Sequence, residues 1–484
     1  MLWSYDAFDE VPNEGQYSVL IRWVVTEQKE NGKGEPYKAR MCIRGDREEG
    51  KEHIRADSPT AAKESLALAL IVAANEGFKV KCGDIKSAYL QGAKLTRDIF
   101  VRPPPQAKSE GKLWKLKQAA YGILDGGRLF YLKFVEKMME LGLHKIHSDG
   151  AMFTYVIGGK IQGLVVVNVD DVILAGNEKF EAEVEEKLKD MFKFSKVEEG
   201  NFVYCGCKIT CKEDGSIELD QNSYIDDMKQ MERVDGDDTR ELSDAEKKDA
   251  RGKVGALLWV SLLTRPDLAF DVNLHSTEVS KGTVKTIKDI NKTVRKAKDG
   301  RAILRFIKLG DFSDLNVKVY SDASFGNQDM ATRSTAGRVI IIENTRTQRM
   351  NVASWKTKKI ARVCRSVKGA ETRALEEALD CGVHTARLIH EIYTGKIEIK
   401  NPAQISVTAF TDSKSVWENL HNTRQCEERL LRNSIACMKE MMELNMVKSV
   451  EWVPTDKQLA DCLTKKGKKA DDLIKVAMMN KLMF

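Results

Sequence analysis

Leu164-Val165-Val166-Val167-Asn168-Val169-Asp170-Asp171-Val172-Ile173-Leu174-Ala175 sets two adjacent carboxylates between two short aliphatic runs. Each run is rich in β-branched residues and long enough for a buried strand, and the polar Asp170-Asp171 pair marks where the chain turns. The stretch predicts a β-hairpin that carries two acids out of a hydrophobic sheet. An isolated carboxylate is costly to bury, so acids held there need a cation or solvent. Two readings stand side by side: acids that hold metal ions, and an ordinary exposed turn.

The 484 residues suffice for about three domains. Hydrophobic residues make up 42% and charged residues 31%, an ordinary globular balance. No apolar run reaches membrane-spanning length, and the N-terminus lacks the basic and apolar regions of a signal peptide. The expectation is an intracellular protein, cytoplasmic or nuclear, with no membrane partner. Ten cysteines in so long a chain do not build a disulfide scaffold. Cys205, Cys207 and Cys211 have no second Cys or His pair at zinc spacing and read as strand and turn residues. The net charge of +6 neither requires nor excludes nucleic acid.

Along the chain, Val19–Val25 and Tyr37–Gly45 read as a hairpin, with Lys38, Arg40 and Arg44 on one strand face. That face suits a triphosphate or a phosphate backbone; a protective edge strand is the alternative. Ser58-Pro59-Thr60 opens a helix over Ala61–Ala74. Phe78–Ile85 is a strand with Asp84 at its end, a common place for a catalytic carboxylate or a cap. A helix is expected over Leu129–Leu141. Glu178–Lys189 reads as a solvated surface helix with Val184 and Leu188 on one face. Asn201–Ile209 reads as a strand pair bent at glycine. A boundary falls near Asp235–Asp238. Two short helices flank Thr264-Arg265-Pro266-Asp267. From Lys285, one helix face carries Lys288, Lys292, Arg295 and Lys296, and the opposite face Ile287, Ile290, Val294 and Ala297. Such a helix can dock on a domain and face phosphates, or simply be solvated.

In the last third, Val317–Asp322, Arg338–Ile342 and Val352–Trp355 read as strands, and Ser366–His390 as a long helix with Glu371 in its first turns. Ile405–Asp412 and Ser449–Pro454 are further strands, and Gln458–Asp461 begins a helix. This is an α/β pattern, with Asp322, Glu371, Asp412 and Asp461 expected at element ends.

These landmarks together resemble the reverse transcriptase and ribonuclease H portion of copia-type retrotransposon polyproteins. The matching segments run in the family's order. They are Lys38–Asp46, Asp84-Ile85-Lys86-Ser87-Ala88-Tyr89-Leu90-Gln91-Gly92, Ile99–Pro104, Tyr121-Gly122, Val169-Asp170-Asp171-Val172 and Leu262–Leu268. In the last third Ser321-Asp322-Ala323, Arg333–Gly337, Ser354–Lys359 and Gln458–Lys465 continue the series. The resemblance implies an α/β and α+β architecture, a right-hand polymerase with palm, fingers and thumb followed by a connection and a ribonuclease H-like α/β domain. The implied divisions are 1–235 (reverse transcriptase: fingers, palm and start of thumb), 236–312 (thumb and connection helices) and 313–484 (ribonuclease H-like).

The resemblance implies roles as well. Asp84, Asp170 and Asp171 would be catalytic metal ligands, with Asp170 the closer and Asp171 the more peripheral because neighbours in an extended chain point to opposite sides. Tyr89 would exclude a 2′-hydroxyl, Lys38 and Arg40 would face the triphosphate, and Phe202–Ile209 would grip the primer. Asp322, Glu371, Asp412 and Asp461 would be the second catalytic metal set. Two Mg2+ ions per site are implied, with Mn2+ as the alternative. The implied partners are an RNA template, a DNA primer, deoxynucleoside triphosphates and an RNA–DNA hybrid. Oligomeric state is not implied.

Some positions depart from the family. Asn168 stands where an aromatic residue is usual, and Asp125 and Gly127 where glutamine and proline are usual. Val367-Lys368-Gly369-Ala370 replaces a serine-rich lead into Glu371. An acid at position 125 is expected to repel a triphosphate. The chain is expected to be a piece of a longer polyprotein. The competing reading is a degenerate or co-opted fragment that binds nucleic acid with polymerase activity weak or lost.

Overall fold

Val, Ile and Leu fill both aliphatic runs of Leu164–Ala175, and both runs form strands. In the computed structural model, residues 3–27, 37–232, 235–328, 333–397, 405–423, 425–467 and 470–482 are described. Among them a six-stranded sheet contains β1 (Lys79–Ile85), β2 (His144–Lys145), β3 (Met152–Ile157), β4 (Lys160–Asn168), β5 (Asp171–Gly176) and β6 (Phe194–Glu199). The spatial order is β6-β1-β5-β4-β3-β2, so β1, which carries Asp84, lies directly beside the β4–β5 hairpin. β4 and β5 pair antiparallel, from Gly163 opposite Gly176 to Asn168 opposite Asp171. Val165, Val167, Val172 and Leu174 pack with Phe130, Phe134 and Met138 of helix α1 (Gly126–Glu140) and with Phe153 and Phe180. Val166 and Ile173 on the other face are buried too. Burial on both faces explains why the runs are continuously apolar, and each such side chain stabilises the fold by about 1.5–3 kcal/mol.

The chain divides into two compact units: residues 1–62, 81–157 and 162–198, and residues 63–80, 158–161 and 199–484. In the first unit, Ile21–Glu27 and Tyr37–Ile43 form the expected hairpin, from Ile21 opposite Ile43 to Glu27 opposite Tyr37. Arg44 departs from expectation. It leaves the strand with φ −81° and ψ 61°, and its guanidinium pairs with Asp46 at 2.7 Å, so it does not share a face with Arg40. The Lys38 side chain lies outside the described residues. The segment Glu178–Met191 is helical with a π-turn at Glu181–Glu185. It is not simply solvated: Glu185 is buried, and Lys81 Nζ donates to it at 2.9 Å and to Glu181 at 2.6 Å.

In the second unit, the expected helix after Ser58 begins at Lys63 and ends at Glu76, with Ser65–Asn75 buried throughout. Asn201–Tyr204 and Cys207–Cys211 pair with Phe202 opposite Ile209. Helices α2 (Asp244–Leu263), α3 (Ala269–Glu278) and α4 (Val284–Asp299) share a core that includes Val254, Leu257, Val272, Ile290 and Val294. Ser243 and Glu246 form a reciprocal cap at the start of α2, as the sequence Ser-x-x-Glu favours. On α4, Lys288 pairs with Asp238 at 2.6 Å, Lys292 with Asp289 at 2.8 Å and Lys296 with Asp271 at 3.0 Å. The basic face is therefore largely matched by acids of the chain itself.

The last sheet holds β7 (Leu315–Gln328), β8 (Arg333–Asn344), β9 (Met350–Lys359), β10 (Ser406–Thr411) and β11 (Ser449–Trp452) in the order β9-β8-β7-β10-β11. β7, β8 and β9 are antiparallel, whereas β10 runs parallel to β7 and β11 parallel to β10. Between β9 and β10 lies α5 (Val367–Thr394), whose Ser366 hydroxyl accepts from the Gly369 amide at 3.0 Å. This is the α/β pattern expected of the last third. Asp322 is not at a strand end, because β7 goes on pairing with β8 through Gln328. Asp461 opens a 3-10 turn (Asp461–Leu463), and the helix proper waits until Asp471–Met479. No helix among the described residues is long and apolar enough to cross a membrane.

Candidate active sites

The β4–β5 hairpin closes over two residues, Val169 and Asp170. Val169 adopts φ +59°, which is a costly conformation for a β-branched residue, on the order of 1–3 kcal/mol. The turn sets the Asp170 backbone against β1: the Ile85 amide donates to the Asp170 carbonyl at 2.8 Å. Asp84 and the paired acids are thereby brought together. Asp170 lies in the turn itself, so the alternation of an extended chain does not govern it, and Asp171 is the first residue of β5. Burial pushes the Asp171 carboxyl up to about 6, and the charges of Asp170 and Asp84 add to the shift. An acid raised by burial beside two further carboxylates suits a cation site. The Ser195 hydroxyl on β6 also donates to the Asp84 carboxylate.

Aromatic rings stand beside these acids. Tyr89, in the 3-10 turn Ala88–Gln91, has its ring centre 5.1 Å from that of Tyr121. Burial raises both hydroxyl pKa values, and Asp170 raises them further. Arg40 opposes the shift at Tyr121, so its charge is felt at the same place. Tyr121 is held by the end of the N-terminal hairpin, where the Ile43 amide donates to its carbonyl at 2.7 Å. Gly122 makes that approach possible: its φ is +96°, and a Cβ would lie 2.1 Å from the Ile43 carbonyl oxygen.

Asp125 overturns an expectation. It is not a free acid beside the nucleotide position. Arg97 donates to both its oxygens, at 2.6 and 2.8 Å, and to Glu48 at 2.8 Å. Asp125 and Glu48 are buried, and the pair of acids holds the Arg97 guanidinium well above its ordinary pKa, chiefly through the Asp125 hydrogen bonds. Asp125 is thus ion-paired within the chain, sharing the Arg97 guanidinium with Glu48.

In the second unit, Asp322 on β7, Glu371 on α5 and Asp412 just after β10 meet. Among the described residues they are the trio whose ligand oxygens all lie within 4.8 Å of one another. Asp84, Asp170 and Asp171 do not form so tight a group. Burial raises Glu371 to about 9, with Asp322 and Asp412 adding to it, while the Ala323 backbone amide opposes. Burial likewise raises Asp322 to about 6 against the opposing charge of Lys465. Glu371 Oε2 is buried without a hydrogen-bond partner. Three converging carboxylates, one with an orphaned oxygen, fit a divalent cation. Asp461 is outside the trio; it pairs with Lys465. Thr455 donates to Asp412 Oδ2 at 2.8 Å.

Tyr121, Ser195, Arg97, Glu48, Thr464 and Lys465 carry no site role in the sequence reading. Most reach their partners across scores of residues, which no local pattern signals. Lys465 is the exception, four residues after Asp461.

The profile of the reverse transcriptase (RNA-dependent DNA polymerase) family matches residues 5–240. The chain is 25% identical over 392 residues to the retrovirus-related Pol polyprotein from transposon RE1 of Arabidopsis thaliana, covering 76% of this chain and 26% of that protein. It is 22% identical over 502 aligned positions to the transposon Ty1-DR6 Gag-Pol polyprotein of Saccharomyces cerevisiae, covering 96% and 27%. The chain thus spans about a quarter of the length of these relatives. A foamy viral protease-reverse transcriptase solved in complex with double-stranded DNA aligns with TM-score 0.54 and 13% identity, over 94% of this chain and 68% of that one.

Proposed function

We propose, from the match of residues 5–240 to the reverse transcriptase family profile and the similarity to copia-type Pol polyproteins, that the chain copies RNA into DNA and cleaves the RNA of the resulting hybrid. The observation that carries the first activity is the meeting of Asp84 with Asp170 and Asp171 through the Ile85–Asp170 backbone bond. In this reading Asp84, Asp170 and Asp171 hold the metal ions of the polymerase site. Asp322, Glu371 and Asp412, with Asp461 beside them, hold those of the hybrid-cleaving site. When bound, two Mg2+ ions per site (or Mn2+) would acidify the attacking 3′-hydroxyl or water and balance the charge of the leaving group. Tyr89, backed by Tyr121, closes the space a 2′-hydroxyl would need, and Arg40 faces the triphosphate. In this reading fingers, palm and start of thumb would lie in 1–235, thumb and connection helices in 236–312, and a ribonuclease H-like domain in 313–484.

The competing reading, a fragment that only binds nucleic acid, is weakened in one of its two supports because Asp125 is ion-paired with Arg97. Primer extension on an RNA template tests the proposal. Magnesium-dependent extension should disappear in Asp170→Asn while template-primer binding persists. A wild-type chain that binds template-primer and extends nothing would sink the polymerase reading.

A further inference from the structure

The second-unit acids are not equivalent. Glu371 Oε2 is buried and unpartnered, and Glu371 groups with Asp322 and Asp412. The side between Asp322 and Asp461 is already taken by a cation of the chain. Lys465 Nζ makes a close ion pair with Asp461 and stands 3.7 Å from Asp322 Oδ1. The other Asp322 oxygen accepts from the Thr464 hydroxyl.

The backbone that carries Lys465 is firmly held. The Thr464 carbonyl accepts from Asn327 Nδ2 at 2.9 Å, and the Leu463 carbonyl accepts from the Thr357 hydroxyl at 2.9 Å. The turn lies against Gly337 of β8, where a Cβ would come within 2.8 Å of Thr464 Cγ2 and 3.1 Å of the Ala460 carbonyl oxygen. The lysine side chain, by contrast, is about a third exposed. It is a flexible four-carbon stem with a compact charge at its tip. An ammonium and a divalent ion cannot share the same carboxylate oxygens, since like charges about 4 Å apart in a partly buried site repel by several kcal/mol.

We propose that Lys465 is a resident counter-cation occupying the place of the second divalent ion, so that the site loads in order. The first ion enters between Asp322, Glu371 and Asp412. The second binds between Asp322 and Asp461 only after the ammonium swings out. This rests on the reading of these acids as a metal centre, and it makes Lys465 a positioning residue that acts through Asp322 and Asp461.

The test is Mn2+ binding to the full chain, followed by calorimetry and electron paramagnetic resonance, with Asp84, Asp170 and Asp171 changed to Asn to silence the first-unit acids. The expected result is one tight and one weak ion, with the weak one about tenfold tighter in Lys465→Met and unchanged in Lys465→Arg. On the unmodified chain, acetylation of lysines read by mass spectrometry should find Lys465 protected until the second ion binds and reactive afterwards. That readout decides the matter if Lys465→Met does not fold. Identical isotherms for wild type and Lys465→Met, or Lys465 reactivity indifferent to Mn2+, would overturn the proposal. If Asp412→Asn leaves both ions bound as before, it is the metal-centre reading itself that fails.

Discussion

The two acid groups of this chain are built on opposite plans. Asp84, Asp170 and Asp171 sit half-exposed on two strands and a two-residue turn, and that turn includes a strained Val169. Asp322 and Glu371 are buried, on a strand and a helix that pack together, with Asp412 closing the group and Lys465 on its flank. The first plan groups the acids less tightly and leaves them partly open to solvent. The second crowds them within 4.8 Å and raises Glu371 to about 9. A site made of backbone turns can adjust to what it binds; a site made of packed elements stores its electrostatic demand in advance.

The strongest way to break that contrast is to remove one acid from the crowded group. Asp412→Asn should lower hybrid cleavage by about three orders of magnitude, about 4 kcal/mol of barrier, while leaving primer extension intact. Cleavage and extension measured on one preparation check it.

Next is the ion cluster that matches Asp125. Arg97→Ala leaves Asp125 and Glu48 buried without their cation and should destabilise the first unit by about 3–5 kcal/mol. Denaturant unfolding reads this directly. Arg97→Lys, which loses the two-oxygen grip on Asp125, should fall between wild type and Ala.

Third is pH. Glu371 has an ordinary value of 4.5 and a folded value of about 9, so the folded state holds its proton more tightly than the unfolded chain. Its contribution to stability is full below about 4.5 and is lost as pH rises toward about 9. In chelator the melting temperature should therefore decline over that window, and added Mg2+ should reverse the decline by binding the ionised form. The first-unit acids predict a narrower window, since Asp171 reaches only about 6.

The smallest effect concerns the turn. Val169→Gly removes the side chain that φ +59° strains and should stabilise the hairpin by about 1 kcal/mol at most. Thermal melting checks it, and a loss of primer extension in the same variant would indicate that the strained turn aims Asp170.

What could be read in the sequence follows the same division. The hairpin was legible because both flanking runs are β-branched and continuously apolar, and the strand-helix-strand order of the last third carried the α/β sheet. Asp322 was legible as an acid of the site but not as a mid-strand residue, because nothing local says that β7 continues to Gln328. Asp125 was misread for a physical reason: its cation, Arg97, lies 28 residues away, and Glu48 lies 49 residues beyond that on the other side. Charge balance across such distances belongs to the fold. The basic face of α4 was read from its spacing, while two of the acids that match it, Asp238 and Asp271, come from other segments.

Primer extension on an RNA template in Mg2+ tests the central claim most directly, with wild type, Asp170→Asn and Asp412→Asn compared at equal template-primer occupancy. The account predicts extension by wild type and Asp412→Asn and none by Asp170→Asn. Extension that survives in Asp170→Asn, or is absent from wild type at full occupancy, would contradict it.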